Sequence, residues 1–381
     1  MQILTVDVGT GTQDVLLFDS ERELENCFKL VLPSPTMVIA DRVRAATAAR
    51  KRLVLTGVTM GGGPSHWATM DHVRAGLEAF ATPDAARTFD DDLDAVVEMG
   101  IRVVSDDEAM GLADAGAAHV FLRDLAFGPL LRTLSAFGVA VHLDGLAVAV
   151  FDHGAAPPGF SDRVFRFDYL RDRLSRGLGL GGFAFTREAV PPAMTRLRAV
   201  ANTAPSDLPL LLMDTAPAAV AGALEDARVR ASSAPIVANV GNFHCLAFHL
   251  VDGQVTGLFE HHTGELSSAR LAAYVEQLAD GTISNEAVFA DMGHGAIVFD
   301  TDAPPPDLLA VTGPRRALMV GSSLQPYLAV PHGDMMLTTS RCARRSSVGW
   351  APRTVGNPLD RRHGRRYGDF GRAHSCVYDQ S

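Results

Sequence analysis

Short apolar runs alternate with amphipathic stretches along most of this chain. Residues 1–33 carry three β-favouring runs, ILTVDV, QDVLLFD and CFKLVLP, which are separated by turn residues and predict an antiparallel meander. A helical pattern follows over residues 36–49, and apolar runs such as RLVLTGVTM and IRVVS then alternate with further helical stretches. Strands that alternate with helices predict an α/β protein with a largely parallel sheet.

A glycine-rich segment, GVTMGGGPS, ends one predicted strand and opens a predicted helix. Ser65 is the expected N-cap of that helix. The backbone amides of Gly61, Gly62 and Gly63 would form an anion site at the helix N-terminus, although the Lys-Ser/Thr ending of a P-loop is missing. The alternative is a strand-to-helix turn in which glycine serves backbone geometry alone.

Three segments recur, more weakly, in the second half of the chain. VDVGTGTQDVLLFD is echoed by ANVGNFHCLAFHLVDG, with Asp7 opposite Asn239 and Gly9 opposite Gly241. The other two echoes are LVLTG with LAVTG and AVFDHG with LAVPHG. Because the three echoes come in the same order, they predict a duplicated α/β lobe.

Composition and charge narrow the class of protein. The 381 residues, 47% hydrophobic and 20% charged, suffice for two lobes with a sizeable core. Residues 339–381 carry nine arginines and three acidic residues, which leaves a net charge of −16 on residues 1–338. An acidic body argues against nucleic acid as a partner. No apolar run approaches the ~18 residues of a membrane span, and no targeting segment opens the chain, so a cytoplasmic protein without a membrane partner is expected.

The C-terminal tail lacks the pattern of a folded segment. Residues 339–381 show no sustained apolar period, so they predict a non-globular, Arg-rich tail of the kind that a frameshift in GC-rich coding sequence produces. Contact of this tail with nucleic acid or a membrane surface is the alternative.

The four cysteines (Cys27, Cys245, Cys342 and Cys376) have neither CxxC nor CxxxCxxC spacing, which excludes a cysteine-ligated zinc and an iron–sulfur cluster.

The first echoed segment places an aspartate beside a Gly-Thr-Gly-Thr turn between two apolar strands. Small residues let a phosphate approach the backbone, and a carboxylate is a hard ligand suited to Mg²⁺. An ordinary β-turn in which Asp7 accepts local N–H groups is the alternative. The segment resembles the first phosphate hairpin of the actin-like ATPase superfamily of sugar kinases, Hsp70 chaperones and actin, whose members have two duplicated ribonuclease-H-like lobes around a cleft.

That resemblance implies a Mg-ATP site between two lobes, with Asp7 near the metal. The residues that would contact the phosphates are Gly9, Thr10, Gly11 and Thr12 in the first hairpin and Gly241 and Asn242 in the second. Adenine would lie beside Gly313. MDTAPAAVAGALED resembles the connecting helix of Hsp70-type members, in which Asp214 would orient the attacking water or hydroxyl; a helix N-cap is the alternative.

The same resemblance divides the chain and assigns the remaining candidates. It implies a first lobe over residues 1–228 with an insertion around 80–185, and a second lobe over 229–338. The first-lobe residues expected to contact a small-molecule substrate are Gly61, Gly62, Gly63, Ser65, Asp152 and His153.

More closely, the chain resembles a bacterial and archaeal family of this superfamily labelled as a pyruvate formate-lyase activating enzyme. The stretches that carry the resemblance include TGVTMGGGPSHWA, TFDDDLD, AVFDHGAAPPGFSDRVFRFDYL, FEHHTGEL and PHGDMML. The label implies radical chemistry, which needs a three-cysteine motif that this sequence lacks.

Histidines and carboxylates concentrate at the ends of predicted strands, where α/β folds gather their sites. The candidate metal ligands in these groups are Glu260, His261, His262, His332 and Asp334. Imidazole and carboxylate suit Zn²⁺, Fe²⁺ or Mn²⁺, and histidine can also act as a general base. The spacing matches no metal motif, and capping or core histidines are the alternative.

Three functions are therefore open at this point. The first is a phosphotransferase or ATPase that uses Mg-ATP. The second is a nucleotide-responsive binding protein without turnover, because the second hairpin has Asn239, Phe243 and His244 where the superfamily usually has aspartate and small residues. The third is a metal-dependent enzyme that uses Zn²⁺ or Mn²⁺ on the histidine and carboxylate set.

Overall fold

The computed structural model describes residues 1–157 and 159–333 of the chain. The strands are β1 (Gln2–Val8), β2 (Thr12–Asp19), β3 (Phe28–Pro33), β4 (Leu53–Gly57), β5 (Ala79–Ala81), β6 (Ile101–Val103), β7 (Ala118–Leu122), β8 (Gly145–Val150), β9 (Ala184–Thr186), β10 (Leu210–Asp214), β11 (Pro235–Val240), β12 (His244–Val251), β13 (Gln254–His262), β14 (Gly295–Val298), β15 (Leu308–Thr312) and β16 (Tyr327–Leu328). The predicted tail at 339–381 and Asp334 lie outside the described residues.

The α-helices are α1 (Pro35–Ala48), α2 (Pro64–Arg74), α3 (Pro83–Ala86), α4 (Leu93–Glu98), α5 (Asp106–Asp114), α6 (Phe127–Ala136), α7 (Asp162–Ser175), α8 (Thr195–Thr203), α9 (Thr215–Ala223), α10 (Ala227–Ala231), α11 (Ser268–Ala279) and α12 (Asn285–Ala290). In the part of the chain that the structure describes, none of them is long and apolar enough to cross a bilayer.

Two six-stranded sheets share a five-stranded core of one strand order, β3-β2-β1-β8-β10 in the first and β13-β12-β11-β15-β16 in the second, and β9 and β14 are additional antiparallel edge strands. The first runs β3-β2-β1-β8-β10-β9, and the second runs β14-β13-β12-β11-β15-β16. In each sheet an antiparallel meander is extended by parallel strands, since β1 pairs with β8 and β11 pairs with β15 in parallel. This is the ribonuclease-H-like arrangement, and the predicted α/β fold of two duplicated actin-like lobes is confirmed.

Of the three sequence echoes, only the hairpin echo joins equivalent strands. Gly9 N–H donates to the Thr12 carbonyl at 3.0 Å, and Gly241 N–H donates to the His244 carbonyl, also at 3.0 Å. The echo of LVLTG with LAVTG is wrong, because the first is β4 in a separate sheet and the second is β15. AVFDHG begins at the end of β8, whereas LAVPHG begins at the end of β16. Because the topological counterpart of β8 is β15 and not β16, this echo is wrong as well.

A third sheet, β6-β5-β4-β7, is inserted between β3 and β8. It therefore begins earlier in the chain than the predicted insertion at 80–185, and β8 within that predicted range is a central strand of the first lobe. The apolar runs of β4 and β8 are buried alike. Because both read as continuously buried strands, the pattern could not show which sheet each one joins.

The two lobes share one buried apolar cluster. Phe167 and Leu170 of α7 pack there with Val220 of α9 and with Phe248 and Leu258 of the second lobe. Helices α7 and α9 thus lie between the two large sheets and hold the hairpin ends of the lobes opposite each other.

Candidate functional site

The first hairpin presents two carboxylates to a cleft of about 100 Å³. Asp7 and Asp14 stand directly opposite each other on β1 and β2, so both side chains lie on one face of the pair. The Thr215 hydroxyl donates to Asp7 Oδ1 at 3.3 Å. Sequence reasoning missed Asp14, although the register of the predicted hairpin would have placed it beside Asp7.

The second hairpin forms the opposite wall of this small cleft. The lining residues are Asp7, Gly9, Thr10, Thr12, Asp14, Thr215, Ala219, Asn239, Gly241, Asn242, Thr312, Gly313 and Pro314. The structure thus brings Asp7, the predicted Mg²⁺ ligand, together with the predicted nucleotide residues of both lobes, except Gly11, which does not line this cleft. No lysine or arginine is among the described residues of the lining, so two carboxylates dominate its charge.

The tips of the two hairpins almost touch. A Cβ atom on Gly11 would lie 2.9 Å from Asn242 Nδ2. Within each tip, a Cβ atom on Gly9 or Gly241 would lie 2.7 or 2.8 Å from a backbone carbonyl oxygen of its own turn. Glycine at these positions therefore allows both the tight turns and the close approach of the lobes.

Gly313 closes the far end of the small cleft. Its φ is +98°, and a Cβ atom there would lie 2.5 Å from the Val240 carbonyl oxygen and 2.6 Å from Asn239 Oδ1. The end of β15 can approach the second hairpin only because this residue has no side chain.

A second, larger cleft of about 230 Å³ adjoins the first. Its lining includes Gly9 and Thr10 together with the predicted substrate residues Gly61, Gly62, Gly63, Asp152 and His153, and it reaches His244 of the second lobe. Ser65 is not part of this lining: it is buried, and its hydroxyl lies 3.4 Å from the carbonyl oxygens of Gly61 and Gly62. Helix α2 begins at Pro64 with Gly63 at the N-cap, so the predicted capping role of Ser65 is wrong.

Asp152 shapes the larger cleft through backbone bonds. Its two carboxylate oxygens accept from the N–H groups of Gly154 at 2.9 Å and Leu197 at 2.8 Å. Burial raises the pKa of Asp152 to about 6. The carboxylate therefore fixes the turn that presents His153.

A buried ion pair supports the glycine loop. Arg196 binds Asp124 with two nitrogens at 2.6 and 3.0 Å, and Asp124 Oδ1 also accepts from Gly61 N–H at 3.1 Å. Arg196 lines the larger cleft, and sequence reasoning missed it because its partner lies far away in the chain.

Trp67 of α2 contacts the second lobe. Its ring centroid lies 5.5 Å from that of Phe243 at the second hairpin. Helix α2 therefore contacts the second hairpin at Phe243, which lines the larger cleft.

Arg166 is fully buried between the lobes and binds a carboxylate from each. It donates to both oxygens of Asp214, at 2.6 and 3.1 Å, and to Glu260 Oε2 at 3.2 Å. Asp214 is also the N-cap of α9 and accepts from the N–H groups of Ala216 and Asp152. Both oxygens of this predicted catalytic residue are thus engaged within the protein.

Four histidine rings gather beside Arg166. His153 comes from the first lobe, and His244, His262 and His294 come from the second, with ring centroids 4.5 to 5.3 Å apart. Sequence reasoning missed His244 and His294 as part of such a group. The antiparallel pairing that places His244 opposite His262 was a usable signal for one of them.

The other predicted metal ligands divide between sites. Side chains alternate along β13, so Glu260 and His262 face the histidine group, whereas His261 turns to Asp291, with Nε2 and Oδ2 3.4 Å apart. His332 Nδ1 lies 3.3 Å from Glu25 Oε1, and this pair is at the end of β1 and β2 opposite the hairpin tip.

The family model described as "Putative pyruvate format-lyase activating enzyme (DUF1786)" matches residues 60–318. The chain belongs to this family. The matched range contains the glycine loop, Arg166, the four histidines and the second hairpin of this family member. Among curated proteins, none matches the chain.

Several solved structures are similar at low identity. They include a ROK family transcriptional regulator that is a homolog of E. coli MLC (8% identity, 67% of this chain and 37% of that one, TM-score 0.26), ethanolamine utilization protein EutJ from Carboxydothermus hydrogenoformans (13%, 89% and 88%, 0.30) and ROK hexokinase from Thermus thermophilus (13%, 91% and 100%, 0.27). The chain spans only 37% of the length of the regulator.

The family description implies an iron–sulfur cluster, and the cysteines of this member do not fit one. Cys27 and Cys245 are buried in the cores of different lobes. Burial raises the pKa of the Cys245 thiol to about 12, whereas a cluster needs thiolates. The spacing of all four cysteines in the sequence agrees, so no step of the chemistry is assigned to a cluster.

Proposed function

We propose that this family member binds Mg-ATP between its lobes and acts as a phosphotransferase or ATPase on a small-molecule substrate. The observation that supports this function is that Gly9 and Thr10 line both clefts. A phosphoryl group held at this hairpin tip would be open to the nucleotide on one side and to an acceptor on the other. Phosphoryl transfer needs mainly such positioning, together with neutralisation of charge.

Each cleft has a part in this proposal. Asp7 and Asp14 would hold Mg²⁺, which supplies charge neutralisation for the phosphates. The hairpin amides other than those of Gly9 and Gly241, which donate within their own turns, would bind phosphate oxygens, and adenine would lie beside Gly313. The acceptor would occupy the larger cleft against the glycine loop and His153. Because the small cleft is below the ~300 Å³ of ordinary ligand pockets, we infer that nucleotide entry requires the lobes to separate.

One feature favours nucleotide binding without turnover as the second candidate. Asn239 occupies the position in the second hairpin that corresponds to Asp7. Its side chain is uncharged, and its Oδ1 faces Gly313. A cleft with carboxylates on one hairpin only would bind a metal–phosphate complex, yet it has fewer groups to orient an attacking nucleophile.

Mg-ATP is expected to raise the thermal unfolding midpoint of the full-length protein. At a ligand concentration of about 100 Kd, binding adds about 2.7 kcal/mol of stability. ATP without Mg²⁺ is expected to give no shift, because the cleft carries carboxylates and no described basic residue. Asp7→Asn removes a metal-binding charge and is expected to abolish the Mg-ATP shift, as measured by differential scanning calorimetry.

The matched control is Asp71→Asn, which changes an aspartate with 71% side-chain exposure on α2 and is expected to keep the full shift. Absence of any shift in the unmodified protein would overturn nucleotide binding. A shift accompanied by phosphate release supports the enzyme, and a shift without release over hours supports the binding protein.

A further inference from the structure

The histidine group has the composition of a metal site. The possible ligand nitrogens of His153, His244 and His294 all lie within 4.8 Å of one another, and the Nε2 atoms of His153 and His294 are 3.1 Å apart. Zn–N bonds of about 2.0–2.1 Å in a tetrahedral site separate neighbouring nitrogens by about 3.3 Å. The pair of His153 and His294 therefore has about the spacing that one ion imposes, and a nitrogen of His244 lies within 4.8 Å of both.

One ring nitrogen of this histidine group has no hydrogen-bond partner among the described residues. His244 Nε2 is buried and has no hydrogen-bond partner there. Buried polar atoms in proteins are almost always paired. The ring itself is held in place, because it stacks on Phe151 with centroids 3.9 Å apart and an angle of 8° between the planes.

A carboxylate and a carbonyl lie behind two rings of the histidine group. Glu260 Oε1 lies 3.7 Å from His294 Nδ1, beyond hydrogen-bond distance, and neither atom has a hydrogen-bond partner among the described residues. The neighbouring His262 has its Nδ1 2.8 Å from the Met292 carbonyl oxygen. In metal sites a carboxylate or carbonyl that accepts from the imidazole N–H fixes the ring orientation and tautomer, and Glu260 is the carboxylate nearest to that position behind His294.

We propose that His153, His244 and His294 bind a divalent transition-metal ion whose fourth coordination position opens into the larger cleft. His153 and His244 line that cleft, whereas His294 is buried behind them. Three imidazoles with an open position are typical of catalytic zinc sites, and imidazole also suits Fe²⁺ and Cu²⁺. One ligand comes from the first lobe and two from the second, so the ion links the lobes.

The open coordination position determines which ligand the metal ion would bind. An oxygen of the acceptor molecule, from a hydroxyl, carboxylate or phosphate group, would complete the coordination, and the ion would lower the pKa of that group or of a bound water. This role in activating an acceptor rests on the proposed function, whereas metal binding itself does not.

The test is metal binding by chelator-treated full-length protein. Isothermal titration with Zn²⁺ is expected to show one ion per chain, and Co²⁺ is expected to give the intense visible absorption of a four-coordinate site. Loss of groups behind metal ligands usually costs about 10–100-fold in affinity, so His294→Ala and His153→Ala are each expected to weaken Zn²⁺ binding by at least ~100-fold. His142→Ala, at an exposed histidine of the first lobe, is the matched control and is expected to bind normally.

Several results would overturn the proposal. They are absence of stoichiometric Zn²⁺ binding, unchanged affinity in His294→Ala and His153→Ala, and a weak six-coordinate Co²⁺ spectrum in the unmodified protein. The spectrum needs no variant, so it decides the matter even if a variant fails to fold. Asp7→Asn is expected to keep Zn²⁺ binding and His294→Ala to keep the Mg-ATP shift, which separates failure of this site from failure of the nucleotide site.

Discussion

Arg166→Met is expected to lower the free energy of unfolding by about 3–5 kcal/mol, the usual cost of removing one partner from a buried ion pair. Methionine preserves much of the apolar stem but leaves Asp214 and Glu260 buried without their cation. These carboxylates belong to different lobes, so the loss acts on the junction between them. Urea denaturation followed by circular dichroism measures the change.

Helix α7 supplies its own control. Arg171 lies on the same helix with 48% side-chain exposure and pairs with Asp168 at 2.9 Å. Arg171→Met is expected to cost less than about 1 kcal/mol, because exposed pairs contribute little. Adding Glu260→Gln to Arg166→Met removes one uncompensated charge and is expected to recover part of the stability. Equal losses in the two arginine variants would contradict the role of the buried junction.

Gly313→Ala is expected to destabilise the protein by about 3 kcal/mol or more. A positive φ in a residue with a side chain costs roughly 1–3 kcal/mol, and overpacking against a fixed backbone adds roughly 1–3 kcal/mol. The clash falls on the Val240 carbonyl, so the second hairpin must move. The variant is therefore also expected to lose the Mg-ATP shift. Guanidinium denaturation gives the stability change.

Gly321→Ala separates the two contributions. Gly321 also has a positive φ, +84°, but a Cβ atom there would have no heavy atom within 4 Å. Its substitution is expected to cost only the backbone strain and to leave the Mg-ATP shift intact. A Gly313 variant no less stable than the Gly321 variant would show that β15 does not constrain the hairpin.

The sequence predicted best what local chemistry determines. The turn residues around Gly9 and Gly241 require tight hairpins, and the aspartate before the first turn is a property of the same few residues. These motifs were therefore visible without the fold. The duplicated lobes were predicted from three echoes, of which only the hairpin echo joins equivalent strands.

The parts that sequence reasoning missed depend on long-range packing. His153 and His294 lie 141 positions apart, and no periodicity connects them. No local pattern marks Arg166, because its carboxylate partners, Asp214 and Glu260, come from strands of two lobes. The strand pattern of β4 likewise fitted either sheet, which misplaced the start of the insertion and the echo of LVLTG with LAVTG.

The near contact between Gly11 and Asn242 also has an evolutionary consequence. The side chains at the two positions would occupy the same small volume between the lobes, so a larger residue at one position requires a smaller residue at the other. Residues at these two positions are thus expected to vary as a pair among relatives, and either hairpin can accept new chemistry only when the opposing tip changes with it.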